Sequence, residues 1–111
     1  MNFDFLGSVL VTGAKTVAAA GTAVQLAAPG AQPNCFQVTI IAQKAGRAAN
    51  TGTVYLGLSG ASNAQLFPLA PGAALTVSAP HQHQFDLSKI YVDATTSGDG
   101  VVFFGSSQAN G

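Results

Sequence analysis

Short runs of β-branched and other apolar residues, separated by turn residues, fill this sequence from residue 8 onward. The separating stretches are rich in Gly, Pro, Asn and Ser: APGAQPN, GRAANTG, SGASNA, LAPG and TSGDG. No window has a clean helical period, and short strands at this spacing are typical of an antiparallel sandwich or barrel. The sequence therefore predicts an all-β fold, either an antiparallel β-sandwich or a jelly-roll-like barrel. The predicted strands lie within residues 8–12, 15–27, 35–43, 52–59, 73–79, 89–95 and 100–106.

The Ala-rich segment at residues 15–27 is the one place where a helix competes with a strand. Ala is the best helix former, which favours the helix. Gly21 lies in the middle of the segment, however, and neighbouring Val and Thr residues favour β-structure. We therefore predict a strand here, with Val17, Val24 and Leu26 as its apolar positions.

The alternation of side chains along the predicted strands assigns an inner and an outer face. On the outer face lie Tyr55, Tyr91 and one residue of the pair Phe103 and Phe104. Aromatic residues on that face suit cross-strand pairs or a partner surface. The predicted core positions are Phe36, Val38, Ile40, Val54, Leu56, Leu58, Leu75, Val77, Ile90 and Val92.

Charged residues are scarce. They make up 7% of the 111 residues, with four basic and four acidic side chains and no net charge. An average soluble domain has about 25% charged residues, and a free domain of this size usually keeps a net charge that disperses it. We therefore expect partners, including further copies of the chain, to cover much of the surface. The lack of a Lys and Arg cluster argues against nucleic acid.

Neither the N-terminus nor the Ala-rich run resembles a targeting or membrane segment. MNFDFLGSVLV carries Asp4 and no early Lys or Arg, so it lacks a secretory n-region. Residues 17–28 are too few and too polar to span a bilayer. We expect a protein made in the cytoplasm, with no membrane partner. Cys35 is the single cysteine, which excludes an intrachain disulfide and a cysteine-built metal site, and its strand-like surroundings favour a buried apolar role.

Both histidines, His81 and His83, lie in PHQHQFD with one residue between them, so a strand would place them on one face. A metal site usually needs three or four convergent ligands. The chain has no Glu and no third His, and Asp86 would lie on the opposite side of a continuing strand. We therefore expect no bound metal and interpret the pair as exposed or interface residues. Ligands supplied by oligomer symmetry are the remaining route to a metal site.

The late aspartates are the candidate acid–base groups. Asp99 in SGDGV is typical of a hairpin turn, and Asp86 in FDLSK predicts a cap on the following turn. The serines have no His or acid at a diagnostic spacing. The stretches SGDG and NTG lack the Lys and the following helix of a phosphate-binding loop. The sequence predicts no catalytic residues, no cofactor and no enzyme.

A longer pattern covers most of the chain. Its order is TAVQLA, a Cys with an alternating strand, NTGTVYLGLSG, LAPGAALTV and FDLSKIYVDATTSGDGVVFF. From Thr22 to Phe104 it resembles the small β-sandwich structural proteins encoded in the virion modules of tailed bacteriophages. The resemblance implies a turn and strand at NTGTVYLG, a tight turn at LAPG and a late strand before a Gly-rich hairpin. It also implies a role as a capsid decoration (cement) protein, a head fibre or a tail component.

The function predicted from this resemblance and from the low charge is that of a cement protein. It would decorate and stabilise the capsid surface of the virion, binding the major capsid protein or other virion proteins through apolar contacts, with a homotrimer favoured. The alternatives are a phage tail or fibre component and a carbohydrate-binding module of the virion.

The predicted organisation is an N-terminal arm over residues 1–14 and a single β-sandwich domain over residues 15–111. Large apolar side chains on an arm would be costly if they were exposed, so we expect them to dock on a neighbouring chain. The predicted interface residues are Phe3, Phe5 and Leu6 in the arm, together with Tyr55, Tyr91, His81 and His83.

Overall fold

The structure, a computed structural model, describes residues 8–32, 34–79 and 84–108. These residues form eight strands and two short 3₁₀ helices, at Ala45–Arg47 and Leu87–Lys89. The strands are β1 (Ser8–Thr16), β2 (Val24–Gln25), β3 (Gln37–Ile41), β4 (Val54–Gly57), β5 (Phe67–Leu69), β6 (Ala74–Ser78), β7 (Tyr91–Ala94) and β8 (Gly100–Gln108).

The strands form two antiparallel sheets of four strands each. The first sheet has the order β1-β8-β3-β6 and the second has the order β2-β7-β4-β5. Strand β8 lies inside the first sheet: β1 pairs with it along its whole length, from Ser8 opposite Gln108 to Thr16 opposite Gly100. Strand β3 pairs with the other side of β8, with Thr39 opposite Phe104. The prediction of an all-β antiparallel sandwich is confirmed.

The core lies between the two sheets and is built from alternate residues of the strands. In β3, residues Val38 and Ile40 are fully buried, while their neighbours along the strand are exposed or half-buried. This period of two places one face of each strand against the opposite sheet. Six predicted core positions are confirmed as buried: Val38, Ile40, Val54, Leu56, Ile90 and Val92.

Four other predicted core positions need correction. Leu58 is 81% exposed, because β4 ends at Gly57 and the alternation does not continue into the following loop. Leu75 and Val77 are half-buried, because β6 is an edge strand whose inner face the second sheet covers only in part. Phe36 precedes β3 and is also half-buried.

The strand boundaries differ from the prediction at two places. Residues 15–27 are neither one strand nor a helix: β1 ends at Thr16, a loop follows, and only Val24–Gln25 form β2. Strand β5 was not predicted, because it is three residues long and contains Pro68, which lacks the N–H that a central strand needs.

The first strand also bears on the predicted arm. Residues 8–14 lie in β1 and pair with β8, so the strand predicted at residues 8–12 is present, and this part of the predicted arm belongs to the first sheet. The rest of the predicted arm, residues 1–7, lies outside the described residues.

Two predicted turns have different outcomes. Pro71 and Gly72 form the expected tight turn: Gly72 has a φ of 83°, and the Ala73 amide donates to the Ala70 carbonyl at 2.9 Å. At the other expected turn, NTG before β4, Gly52 does not use a positive φ. A side chain there would instead collide with the Thr95 hydroxyl, so the position favours glycine for close packing.

Candidate interaction surfaces and the polar cleft

The side chains that point away from the core on the first sheet form one surface, which we call the outer face of the first sheet. Strand pairing arranges them in rows that run across β1, β8, β3 and β6. The described rows are Leu10, Ser106, Gln37 and Ser78; then Thr12, Phe104, Thr39 and Thr76; then Ala14, Val102, Ile41 and Ala74.

None of these described positions carries a charge. Phe104 lies in the middle row and is 57% exposed, and Leu10 beside it is 71% exposed. The hydroxyls of Thr39 and Thr76 lie 3.0 Å apart and hydrogen-bond to each other. An antiparallel sheet that faces water usually has a polar outer face, whereas the centres of protein interfaces are depleted of charge and enriched in aromatic residues. The described positions of this face share with interface centres the lack of charge, and one aromatic residue, Phe104, lies in the middle row.

A second apolar feature lies where the sandwich is open, between the edge strands β5 and β6. A cleft of about 160 Å³ there is bordered by core residues such as Ile40 and Leu56 and by the half-buried Leu75 and Val77. Phe67 on its rim is 51% exposed. The core is therefore only partly closed along this edge.

The outer face of the second sheet carries both tyrosines, as predicted. Tyr55 on β4 lies directly opposite Asp93 on β7, and Tyr91 lies opposite Gly57. Both tyrosines are half-buried. The ring of Tyr91 packs so closely on Gly60 that a side chain at residue 60 would collide with it. Tyr91 is thus partly covered by the loop of residues 58–66, while Tyr55 borders an open cleft.

This opening, which we call the polar cleft, has a volume of about 520 Å³. Its floor is the cross-strand pair of Tyr55 and Asp93. One wall is the loop of residues 58–66, which contributes Asn63 and Gln65, and the opposite wall contains Gly21 from the loop between β1 and β2. Polar side chains from separate segments therefore meet in one concave place.

Both walls of the polar cleft are fixed by hydrogen bonds. The buried Gln65 side chain donates through Nε2 to the carbonyls of Ser59, at 2.5 Å, and Ala61, at 3.0 Å. In the opposite wall, the Gly21 amide donates to Asp93 Oδ1 at 2.9 Å. The Ala94 amide donates to the same oxygen at 2.7 Å. The loop of residues 58–66 is thus held by hydrogen bonds within itself, and the loop that contains Gly21 is held by a hydrogen bond to Asp93.

Asp99 was predicted as a turn residue, and the structure gives it a larger role. Its fully buried carboxylate accepts hydrogen bonds from the amides of Thr51, at 2.9 Å, and Gly52, at 2.7 Å. Lys44 Nζ lies 3.9 Å from Asp99 Oδ1. Next to it, Asn50 donates to and accepts from the backbone of Gly100, at 2.8 and 3.0 Å. Asp99 therefore joins the loop before β4 to the turn before β8.

Asp86 caps the short helix Leu87–Lys89, as predicted. Its Oδ1 accepts from the Ser88 amide at 2.9 Å. The hydrogen bonds from Ser88, with a smaller contribution from the Lys89 charge, hold the pKa of the Asp86 carboxyl below its usual value of 3.8. Cys35 is buried in the core, as predicted, and burial raises the pKa of its thiol. A raised pKa keeps the thiol in its unreactive protonated form.

Of the predicted interface residues, the structure describes only Tyr55 and Tyr91, which it places on the outer face of the second sheet. Phe3, Phe5, Leu6, His81 and His83 lie outside the described residues. Within the described residues, no group of three or more His, Cys, Asp and Glu side chains is arranged to hold a metal. The expectations of no metal, no cofactor and no enzymatic activity stay predictions.

Several residues of these surfaces were not singled out in the sequence. The sequence marked Leu10 only as part of a strand. The pairing of β1 with β8 is what places Leu10 near Phe104. No sequence pattern predicts the burial of Gln65, because that burial depends on the path of the loop of residues 58–66. Asn63 has a positive φ of 62°, and the sequence signal for it was the turn-rich stretch SGASNA.

No protein-family model matches the chain, and no match was found among curated proteins or solved structures. In the part of the chain that the structure describes, no helix has the length and apolar character needed to cross a membrane.

Proposed function

We propose that this protein is a structural component of a bacteriophage virion that decorates and stabilises the capsid, binding its neighbours through apolar and backbone contacts. The resemblance of residues 22–104 to small virion sandwich proteins suggests the setting. The outer face of the first sheet supplies the means of attachment.

The observation that carries the proposal is the lack of charge on that face. Four strands present three rows of described side chains without one Lys, Arg, Asp or Glu among them. A surface exposed to water throughout the life of the protein gains solubility from charges. A surface that is covered in an assembly gains affinity from their absence, since a buried unpaired charge is costly.

Phe104 and Leu10 are the anchors that this face offers. Each is more than half exposed in the single chain. Full burial of such a side chain contributes about 1.5–3 kcal/mol, of which these two can gain the part that is still exposed. The flanking threonines Thr12 and Thr39 surround Phe104 with small, uncharged groups. An aromatic anchor within a ring of weaker contacts is the usual arrangement of an interface hot spot.

The test is binding of purified protein to particles that lack it. A charge at the centre of the face, in Phe104→Lys, should abolish co-sedimentation with the particles, because the Lys would be desolvated without a partner. Ala31→Lys adds the same charge in an exposed loop between β2 and β3 and should bind like the unmodified protein. Normal binding by Phe104→Lys, with both variants folded, would contradict the proposal.

A further inference from the structure

We propose that the polar cleft binds a neutral sugar ring. The inference does not depend on attachment to a capsid, because the cleft lies on the second sheet and the proposed attachment face lies on the first. It can be tested on the isolated protein.

Three polar groups in the cleft have hydrogen-bonding capacity to spare. Asp93 uses Oδ1 for the amides of Gly21 and Ala94, and no described residue donates to its Oδ2. The hydroxyl of Tyr55 and the side-chain amide of Asn63 likewise have no hydrogen-bond partner among the described residues. All three residues line the same cleft. Together they offer an ionised acceptor, a hydroxyl, and an amide that both donates and accepts.

The cleft is held in shape before any ligand arrives. Gln65 secures one wall, and the bond from Gly21 to Asp93 ties the other wall to the floor. The Ala20 amide also donates to the Ser97 hydroxyl at 2.9 Å, which fixes the loop that carries Gly21. A site that is already ordered loses less conformational entropy on binding.

The charges and polar groups of the residues that line the polar cleft disfavour some classes of ligand. Asp93 is the one acidic group among the residues that line the cleft, and none of them is Lys, Arg or His. A phosphate, sulfate or carboxylate ligand would therefore meet a negative charge without a compensating cation. A purely apolar ligand would bury the three polar groups without hydrogen-bond partners, which disfavours its binding.

A neutral sugar ring fits these constraints. Its hydroxyls can donate to Asp93 Oδ2 and exchange hydrogen bonds with Asn63, and its C–H face can lie against the aromatic ring of Tyr55. The volume of about 520 Å³ lies within the usual range of small-molecule sites, about 300–1,000 Å³. An ammonium group would also suit the carboxylate and the aromatic ring. It would leave the Asn63 amide without a role and most of the volume empty, so a sugar is favoured.

The experiment is a titration of isotope-labelled protein followed through its backbone amide signals in nuclear magnetic resonance. The probes are methyl α-glucopyranoside, methyl β-galactopyranoside and N-acetylglucosamine, with methylammonium chloride as the cationic alternative. At least one sugar should shift the signals of Gly21, Asn63 and Ala94 in a saturable manner, while signals of the first sheet stay in place. No saturable shift with any of the sugars, or a response to methylammonium alone, would overturn the proposal.

Matched variants localise the effect. Tyr55→Phe removes the hydroxyl from the cleft and should weaken sugar binding about three- to tenfold. Tyr91→Phe removes the hydroxyl of the tyrosine that packs on Gly60 and should leave binding unchanged. Asp93→Asn keeps an oxygen for the Gly21 amide and removes the charged acceptor, so binding should weaken about tenfold or more. Equal affinities in Tyr55→Phe, Asp93→Asn and the unmodified protein would contradict the assignment.

Discussion

At the scale of single residues, the aspartates of this chain serve its backbone. Each of the three described aspartates accepts a hydrogen bond from main-chain amides: Asp86 from Ser88, Asp93 from Gly21 and Ala94, and Asp99 from Thr51 and Gly52. A carboxylate is a strong acceptor, and loops contain the amides that strands and helices leave without partners. These three described aspartates therefore stabilise loops and a short helix through main-chain hydrogen bonds.

The cap at Asp86 predicts a pH dependence. Because the pKa of Asp86 is lower in the folded chain than in the unfolded chain, its contribution to stability is present above its usual pKa of 3.8 and is lost as the pH falls through the folded value. Asp86→Ala should therefore lower the melting temperature at neutral pH and lower it progressively less below about pH 4. Thermal unfolding of both proteins across a pH series measures this. A difference that grows as the pH falls would contradict the cap.

The core residues predict a stability effect. Ile40 is fully buried and Leu56 nearly so, on facing strands of the two sheets. Ile40→Ala or Leu56→Ala should lower the free energy of unfolding by about 2–5 kcal/mol, through lost burial and the cavity that remains. Ala74→Gly on the exposed side of β6 is a control that should have a smaller effect. Denaturant unfolding gives the values, and a loss below about 1 kcal/mol at both core sites would contradict the packing.

At the scale of elements, the sequence predicts the strands that have long apolar runs. It does not predict the segments whose conformation is set by tertiary contacts. The runs that contain β3, β4, β6 and β7 show apolar residues alternating with polar or small ones, and the run that contains β8 is a block of Val and Phe after a turn. The stretch of residues 17–23 has the composition of a strand or a helix but forms a loop, because hydrogen bonds to Ser97 and Asp93 hold it. The loop of residues 58–66 depends similarly on Gln65, which no local pattern marks.

The junction at Asp99 predicts that two distant loops stabilise each other. Asp99→Ala would leave the partly buried amides of Thr51 and Gly52 without their acceptor, at a cost of up to about 1–3 kcal/mol for each unsatisfied group. Asp99→Asn keeps one side-chain oxygen and should cost less than Asp99→Ala. The free energies of unfolding of the two variants test this. Equal and small losses in both would mean that the junction contributes little.

At the scale of the whole molecule, the two sheets present different exteriors. The described side chains on the outer face of the first sheet carry no charge, whereas the second sheet carries the polar cleft and the loops that enclose it. The overall shortage of charge in the sequence predicts a covered surface. The sequence does not show which face of the sandwich lacks charged side chains. That assignment needs the strand order, because the residues of one row, such as Thr12, Phe104 and Thr39, are far apart in the sequence.

We predict that residues 1–7 are needed for attachment to particles but not for folding. Strand β1 begins at Ser8, and the described core residues lie between Val11 and Phe103. Deleting residues 1–7 should therefore leave a folded sandwich with a nearly unchanged melting temperature. We expect the truncated protein to lose binding to particles, because Phe3, Phe5 and Leu6 are predicted to dock on a neighbour. Full binding by a folded truncated protein would show that these residues are not needed for attachment.

Attachment through apolar and backbone contacts can be tested by measuring the occupancy of the protein on purified particles across a salt series. Charge–charge contacts near the surface are screened over about 8–10 Å at moderate salt, whereas apolar contacts are not weakened by it. If attachment is apolar, the occupancy of the unmodified protein should stay nearly constant as the salt concentration rises. A steep loss of occupancy with salt would contradict it, because attachment would then depend on charges that the outer face of the first sheet does not carry.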